Sequence, residues 1–253
     1  WNTIRPTLDK HGLGYTRVSA VPGHTLSKNL LSHGTSLRTT IRLQEAPQRC
    51  FHWMLDNVNA VGATLSHVKV WEQIVQNQVP YAVVLEDDAK LLHEDIKAKI
   101  EHLFRQQLFG FDIVALTDPF FLQPETEPKK TCKQDPVFGE ICQRTEDFIG
   151  AHGYCVSRSG AEKLLQHVKP IEQHVDMFMA SLARLEVLSF ASTTVPLIGI
   201  EPSPSDIPHK GLIEPHLDTT GWSPAPGLQP SFYILLFVVA CICLMTFTSG
   251  FKR

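Results

Sequence analysis

Residues 81–89 read YAVVLEDDA, and this stretch decides the fold. Four apolar residues, 82–85, run directly into three acids, Glu86, Asp87 and Asp88. A short apolar run rich in Val is typical of a buried strand. Because an unpaired buried charge is unfavourable by several kcal/mol or shifts its pKa, we expect the acids to emerge where the strand ends. The sequence therefore predicts a strand whose carboxyl end carries three carboxylates at the rim of a sheet.

The position of these acids indicates a metal site. In open α/β sheets, ligands bind at the carboxyl ends of the strands. Clustered carboxylate oxygens suit Mg²⁺ or Mn²⁺ and, through the metal, a diphosphate. Alternation along a strand would place Glu86 and Asp88 on one face and Asp87 on the other. A solvated turn without a metal is the alternative, since acid triplets are common on surfaces.

The segments on either side of the acidic strand also have regular patterns. Residues 61–74 (VGATLSHVKVWEQI) have apolar side chains at positions 65, 68, 71 and 74, as on one face of a helix. Residues 149–165 (IGAHGYCVSRSGAEKLL) predict a short strand, a turn at 157–160 and a helix from about residue 161. The segment HVDMFM at 174–179 then places a single acid, Asp176, among apolar residues.

Four blocks of sequence, in this order, resemble glycosyltransferase family 25, which includes bacterial lipooligosaccharide galactosyltransferases and procollagen galactosyltransferases. The blocks are RVSAVPG (17–23), LSHVKVW (65–71), VLEDDA (84–89) and AHGYCVSRSGAEKLL (151–165), the last followed by Val175-Asp176. The resemblance covers residues 5–200. Each block alone is weakly specific, but four in order at family-like spacing are specific.

The chain departs from the family pattern at its start. It begins at Trp1 rather than Met, and the family's first strand, which helps to hold the nucleotide, is not present. We therefore expect an N-terminally incomplete glycosyltransferase domain over residues 1–200. Gly62-Ala63 also stand where family members often have Gly-Cys.

Apolar strands alternate with helical patterns, which predicts an α/β domain with a mainly parallel sheet. The resemblance implies the GT-A form of this architecture, which is Rossmann-like and binds a nucleotide-sugar. Residues 118–146, rich in charge and Pro, predict a long loop of the kind that forms lids or acceptor-binding elements. The predicted strands are 16–20, 82–86, 112–116, 153–156 and 187–191, and the predicted helices are 65–76, 94–107, 161–166 and 175–185.

Charge and cysteine content argue against two classes of protein, those that bind nucleic acids and those with a structural zinc site. The net charge is −3, with 19% charged residues, which argues against nucleic-acid binding because that requires a basic patch. No C-x-x-C pair is present, so a structural zinc site is not expected. Cys132 and Cys142 bracket a polar loop, and either a disulfide in an oxidising compartment or two free thiols fits the sequence.

Residues 201–253 predict a linker, a membrane span and a short basic tail. Seven Pro and three Gly at 201–230 indicate an irregular spacer. Residues 231–250 predict a transmembrane helix, because 232–250 are 19 residues without a charge and about 20 cross a bilayer. Alternatives are a buried core helix and a removable glycolipid-anchor signal. The basic end at 251–253 favours the cytosol, which would place the domain in the lumen of the endoplasmic reticulum or Golgi.

The resemblance implies metal-dependent transfer of a hexose, with inversion, from a UDP-sugar to a protein, lipid or glycan hydroxyl. UDP-galactose is the expected donor by family precedent. It further implies Asp88 as the direct ligand of Mn²⁺ (or Mg²⁺) and Glu86 as a second ligand or orienting group. Asp87 is expected to face the ribose or sugar.

Four further positions are candidates for the chemistry. Asp176 is the candidate general base, because desolvation raises the pKa of a carboxyl toward the useful range; the alternative is an acid that caps its helix at Phe178 or Met179. His152 and Gly153, in the family's His-Gly-Tyr block, are candidate substrate-binding residues, and His152 is a candidate ligand of metal or diphosphate, or a structural residue. His67 is interpreted as structural or as lining the donor site.

Two other functions compete with this one. A non-catalytic, membrane-tethered binding protein that keeps the fold is the alternative from another class, and the missing first strand motivates it. The intact acidic triplet favours an enzyme. An aspartyl-nucleophile phosphatase fits less well, because residues 86–89 (EDDA) lack the Asp-x-Asp-x-Thr pattern.

Overall fold

The computed structural model describes residues 4–44, 55, 57–117, 120–121, 131–145, 148–200 and 241–246. Two short 3-10 turns lie at Gly23–Thr25 and Gln107–Gly110. The helices are α1 (Ile4–Lys10), α2 (Lys28–Gly34), α3 (Leu37–Gln44), α4 (Val58–Gln76), α5 (Ile96–Arg105), α6 (Arg158–His167) and α7 (Val175–Arg184).

Eight strands form the main sheet, in the order β1-β12-β2-β9-β4-β10-β7-β6, while β3 pairs with β11 and β5 with β8. The strands are β1 (Thr16–Ser19), β2 (Tyr81–Glu86), β3 (Ala89–Leu91), β4 (Ile113–Ala115), β5 (Phe120–Phe121), β6 (Cys132–Asp135), β7 (Gly139–Gln143), β8 (Phe148–Ile149), β9 (Gly153–Ser157), β10 (Phe190–Thr193), β11 (Ile198–Ile200) and β12 (Cys241–Thr246).

Strand direction corrects the prediction of a mainly parallel sheet. Within the described strands of the main sheet, β4 and β10 are the only parallel neighbours, and the other neighbouring pairs are antiparallel. β9 runs opposite to both of its neighbours, β2 and β4, and β12 runs opposite to β1 and β2. The α/β class is confirmed. β1, β2, β4 and β10 still point the same way, because the reversed strands β12 and β9 lie between them.

Element positions agree closely with the sequence patterns, with two informative differences. β1, β2, β4 and β9 match their predicted strands to within one residue at each end. The strand predicted at 187–191 lies at Phe190–Thr193, because the N–H of Val187 donates to the carbonyl of Leu182 and closes α7. Helix α4 starts at Val58 rather than at residue 65, since the Asn57 side chain caps it by accepting from Ala60 N at 2.9 Å.

The segment predicted as a long loop contains a hairpin. β6 and β7 pair directly, and Cys132 and Cys142 are opposite each other in this pairing. The two residues form a disulfide across a Cα–Cα distance of 4.1 Å, so the disulfide alternative holds and the loop prediction is wrong for this part. Residues 118–119, 122–130 and 146 lie outside the described residues.

β2 is buried on both faces and separates two layers of core. Ala82 and Val84 pack into the core formed with α4, α6 and α7. Val83 and Leu85 pack into the second core, with α1 and α5. Because strand faces alternate, Glu86 continues the face of Ala82 and Val84 and is directed toward α4. The strand that carries the acids is therefore fixed from both sides.

The tail corrects another prediction. Residues 241–246, part of the predicted transmembrane helix at 231–250, form β12 and pair antiparallel with β1 and β2. A short apolar run suits a buried strand as well as a helix, which is why periodicity did not separate them. No helix in the described ranges is both long and apolar enough to cross a membrane. The linker at 201–230, residues 231–240 and residues 247–253 lie outside the described residues.

Candidate active site

The three acids lie at the carboxyl end of β2, as predicted, but they are buried there. Glu86 ends the strand, and Asp87 and Asp88 form the turn into β3. Their exposed fractions are 2%, 9% and 7%. Because Asp88 lies in a turn, strand alternation does not extend to it and gives no common face with Glu86. The acids form an enclosed cluster rather than a solvated rim.

Burial and mutual repulsion shape the electrostatics of this cluster. Desolvation, followed by the charges of Asp176 and Asp87, raises the pKa of Glu86 to about 8. Desolvation, followed by the charges of Glu86 and Asp87, raises the pKa of Asp88 to about 8. Without a compensating positive charge, Glu86 and Asp88 are therefore protonated at neutral pH.

Several buried polar atoms near the acids have no hydrogen-bond partner among the described residues. They are Glu86 Oε2, Asp88 Oδ1, Thr117 Oγ1 and His152 Nδ1. Buried polar atoms normally find partners, and orphaned ones indicate a ligand, a water or an ion. Carboxylate oxygens with unused lone pairs are the donors that Mg²⁺ and Mn²⁺ prefer, so Glu86 and Asp88 fit a divalent cation.

The three carboxylates do not converge as one complete ligand set. Among the described residues, Cys132, Glu140 and Cys142 are the only three potential ligands whose atoms lie within 4.8 Å of one another. The disulfide already joins the two sulfurs of that group. A Mg²⁺ or Mn²⁺ site needs only one or two protein carboxylates, because substrate phosphates and waters complete the coordination. The acidic cluster fits a site of this open kind.

His67 is in direct contact with the acidic cluster. Its Nε2 lies 3.2 Å from Glu86 Oε1, and its Nδ1 lies 2.9 Å from the hydroxyl of Tyr154. Burial lowers the pKa of His67 to about 4, against the opposing effect of Asp176, so the ring is neutral at pH 7. The two predicted roles, structural and lining the donor site, are both compatible with this position.

His152 and Gly153 lie where β9 begins, beside the end of β2. The carbonyl of His152 accepts from Glu86 N at 3.0 Å, which fixes the two strand ends to each other. Burial lowers the pKa of His152 to about 4, so the imidazole ring of His152, like that of His67, is neutral at pH 7. A side chain on Gly153 would meet Ile198 at 2.8 Å, so close packing on β11 accounts for this glycine.

Asp176 lies in the first turn of α7 and is 3% exposed. Its Oδ1 accepts from Met177 N at 2.8 Å and its Oδ2 accepts from Gly150 N at 3.2 Å. The predicted alternative is a carboxylate that caps the helix at Phe178 or Met179. The carboxylate accepts instead from the N–H groups of Met177 and Gly150, so the predicted partners are wrong. The charge of Asp176 acts on the pKa of Glu86 and of His67, which places it beside the cluster. Burial raises the pKa of Asp176, and the backbone hydrogen bonds oppose that rise.

The loop after β1 is held against α4 at the same sheet edge. Ser66 Oγ accepts from Val21 N at 2.8 Å and donates to the carbonyl of Gly62 at 2.7 Å. A side chain on Gly62 would collide with the carbonyl of Val21, and one on Gly23 would collide with the backbone of Val58. Both glycines are therefore required for the close approach of this loop to the helix.

Sequence reasoning did not single out Trp71, Tyr154 or Thr117. Trp71 lies four residues after His67 on α4, and this spacing places both on one helix face. Tyr154 stands in the AHGYC block, but no pattern indicates that its hydroxyl contacts His67. Thr117 follows β4, and the sheet order brings its Oγ1 to 3.9 Å from where a Cβ on Gly150 would lie.

An α/β domain that gathers buried carboxylates and histidines at the carboxyl ends of its strands has the organisation of an enzyme with a ligand site at a sheet edge. Over residues 2–179, the chain matches the family model described as "Glycosyltransferase family 25 (LPS biosynthesis protein)". The chain belongs to this family, as its sequence blocks indicate, and is a glycosyltransferase that uses a sugar donor and an acceptor. No curated protein matches the chain.

Proposed function

We propose that this protein is a metal-dependent glycosyltransferase of the GT-A form, which transfers a hexose from a UDP-sugar to a protein, lipid or glycan hydroxyl. Galactose is the proposed sugar. The observation that carries the metal dependence is the acidic cluster, where Glu86 Oε2 and Asp88 Oδ1 are buried and have no partner among the described residues. Two desolvated carboxylates with raised pKa values are unfavourable as anions unless a cation compensates their charge.

The residues around the cluster have distinct proposed roles. Asp88 and Glu86 bind Mn²⁺ or Mg²⁺, and Asp87 faces the ribose or sugar. His152, with its Nδ1 unused and its ring neutral, binds the metal or the diphosphate. A bound divalent cation would offset the negative charge that builds on the departing diphosphate.

Transfer with inversion requires one displacement and a base on the side opposite to the leaving group. We assign this base to Asp176, whose carboxylate keeps lone pairs beyond the two that accept backbone N–H groups. Asp176 takes the proton of the acceptor hydroxyl, whose oxygen bonds to the anomeric carbon. The bond from that carbon to the diphosphate breaks, and UDP leaves with the bonding electron pair.

The first test is UDP release by the full chain from UDP-galactose, UDP-glucose and UDP-N-acetylglucosamine, with Mn²⁺ and with a chelator. We expect metal-dependent release from one donor, and a loss of at least about 100-fold in Asp88→Asn, since metal catalysis contributes several kcal/mol. Asp95→Asn is the matched control, because Asp95 is an exposed acid whose ion pair among the described residues is with Lys99 of α5. Wild-type turnover in Asp88→Asn would contradict the metal assignment.

The same assay separates the proposed enzyme from the non-catalytic alternative. A chain that releases no UDP from any of the donors and binds none of them would be a binding protein with the transferase fold. A location in the lumen of the endoplasmic reticulum or Golgi stays a prediction from the sequence. The membrane span at 231–250 is not proposed, because residues 241–246 form β12 in the main sheet.

A further inference from the structure

Four buried side chains form a chain of hydrogen bonds that ends on Glu86, and we call them the buried relay: Trp71, Tyr154, His67 and Glu86. Trp71 Nε1 lies 2.9 Å from Tyr154 Oη, Tyr154 Oη lies 2.9 Å from His67 Nδ1, and His67 Nε2 lies 3.2 Å from Glu86 Oε1. The exposed fractions are 0% for Trp71 and His67 and 2% for Tyr154 and Glu86. The relay thus links the core beneath α4 to the acidic cluster without passing through solvent.

The direction of each hydrogen bond follows from the groups themselves. The indole N–H of Trp71 can only donate, so the oxygen of Tyr154 accepts. The hydroxyl of Tyr154 has one proton, and its only remaining partner among the described residues is His67 Nδ1. Nδ1 therefore accepts, the single ring proton of the neutral imidazole lies on Nε2, and Nε2 donates to Glu86 Oε1.

The fold places these groups in register. His67 and Trp71 are four residues apart on α4 and so lie on one face of the helix. Val84 of β2 is paired with Tyr154 of β9, and Glu86 lies two residues beyond Val84 on the same face. His67 and Trp71 on α4 therefore face Tyr154 and Glu86 on the paired strands β9 and β2. All four side chains are held by a helix or a strand rather than by a loop.

We propose that His67 is a positioning residue for the transferase site, which holds Glu86 Oε1 through an Nε2–H donor so that Oε2 is directed to the metal and donor. Tyr154 and Trp71 fix the tautomer and the angle of the ring. This inference rests on the proposed function, because Glu86 needs to be oriented only if the site binds a metal and a sugar donor. The supporting observation is the contrast within one carboxylate: Oε1 is bound by His67, and Oε2 is buried with no partner in the described part of the chain.

The test uses three variants of the full chain. His67→Gln keeps an N–H donor that can reach Glu86, His67→Leu keeps the bulk without a donor, and Tyr154→Phe removes the hydroxyl alone. The measured quantities are the affinity for Mn²⁺, with and without UDP, and kcat and KM for UDP release. Ile74→Ala is the matched control, because Ile74 is fully buried on α4 but takes no part in the relay.

If His67 orients Glu86 through its N–H donor, the variants should differ in Mn²⁺ affinity in a specific order. His67→Leu should bind Mn²⁺ about 10- to 100-fold more weakly, as when an outer partner of a metal ligand is lost. His67→Gln should stay within about threefold of wild type, and Tyr154→Phe should fall between them. Adding Tyr154→Phe to His67→Leu should cause no further loss, because Tyr154 acts through His67. Ile74→Ala should lose stability but keep its Mn²⁺ affinity.

Two results would overturn the inference: wild-type Mn²⁺ affinity in His67→Leu, or equal losses in His67→Leu and His67→Gln. The imidazole ¹⁵N shifts give an independent measurement, since they report which nitrogen of His67 carries the proton. We expect the Nε2–H tautomer in wild type and a changed spectrum in Tyr154→Phe. A wild-type chain that binds no Mn²⁺ and releases no UDP would contradict the proposed function. In that case the tautomer alone decides whether His67 donates to Glu86.

Discussion

At the residue scale, two buried acids with similar backbone contacts differ in the pKa of their carboxyl groups. Burial alone would raise the pKa of Asp112, but hydrogen bonds from Lys163 and Ser189 outweigh it and hold that pKa below its ordinary value. Among the described residues, Asp176 accepts hydrogen bonds from two backbone N–H groups and from no lysine or arginine side chain, and burial raises its pKa against the opposing charge of His174. Because a general base works best with a pKa near the working pH, Asp176 is suited to proton transfer and Asp112 is not.

Asp176→Asn should remove turnover and leave donor binding intact. We expect kcat for UDP release to fall by about 100-fold or more, the usual contribution of general base catalysis, and the Kd for UDP with Mn²⁺ to stay unchanged. The amide keeps only part of the bonding to Gly150 and Met177, so the free energy of unfolding should fall by about 1–3 kcal/mol.

Asp112→Asn is the control for this loss of stability, since it removes another buried carboxylate far from the acidic cluster. It should lose stability and keep kcat. If Asp176→Asn instead kept its kcat, or lost UDP affinity alone, Asp176 would not be the base.

At the element scale, Asp112 joins three segments that are distant in sequence. It precedes β4 and accepts from Lys163 Nζ of α6 at 2.6 Å and from Ser189 N and Oγ, just before β10, at 2.9 and 2.8 Å. The helix also requires Gly160 at this point, because a side chain there would meet the carbonyl of Asp112 at 2.7 Å. This acid therefore fixes α6 and β10 to the start of β4.

The contribution of Asp112 should depend on pH in a defined direction. The pKa of Asp112 is below its ordinary value of 3.8 in the folded chain, so its stabilisation is present above that value and is lost as pH falls through the folded pKa. Asp112→Asn should lower the free energy of unfolding by about 1–3 kcal/mol at neutral pH and by much less near pH 3, as measured by urea unfolding. An equal difference at both pH values would contradict an electrostatic role.

The sequence predicts elements better than it predicts their partners. The apolar runs of β2, β4 and β9 locate these strands because each is buried, and burial is what periodicity reports. The direction of β9, opposite to both β2 and β4, depends on pairing between segments distant in sequence, which no local pattern records. β12 shows the same limit, since an apolar run of this kind satisfies a strand between two others as well as a helix.

At the scale of the whole molecule, the reversed strands explain why the site was predictable although the sheet was not. β1, β2, β4 and β10 end at one edge, and β9 begins at that edge because it runs the other way. Glu86, at the end of β2, therefore donates its N–H to the carbonyl of His152, and Thr117, after β4, lies close to Gly150; His152 and Gly150 both precede β9. The place of the acids at the end of a strand could be predicted from the apolar run before them, whereas the family's sequence blocks singled out His152, and the roles of these residues stay predictions. Tyr154 and Thr117 could not be predicted, since only the sheet order brings them in.

The burial of Glu86 and Asp88 close together should make the free energy of unfolding depend on pH. The folded pKa of Glu86 and of Asp88 is about 8, against ordinary values of 4.5 and 3.8. The folded pKa of His67 and of His152 is about 4, against 6.5, which has the opposite effect at lower pH. Above about pH 7 the raised pKa values of the acids dominate, and the folded chain binds more protons than the unfolded chain; the buried Cys155 thiol, whose pKa is also raised, acts in the same direction. The free energy of unfolding should therefore fall as pH rises from about 7 to about 8.5 in the presence of a chelator.

Mn²⁺ should reverse this trend, because it binds the deprotonated acids and competes with protons for them. At a fixed concentration that is 100-fold above its Kd at the lower pH, Mn²⁺ should stabilise the chain by about 2.7 kcal/mol there, and by more at the higher pH, where its Kd is smaller. Urea unfolding of the full chain at the two pH values, with Mn²⁺ and with chelator, measures both effects. Asp88→Asn should flatten the pH dependence and weaken the response to Mn²⁺. Stability that rises with pH in chelator, or Mn²⁺ stabilisation that is the same at both pH values, would show that the acids are ionised without a metal and would leave the cluster without a reason to bind one.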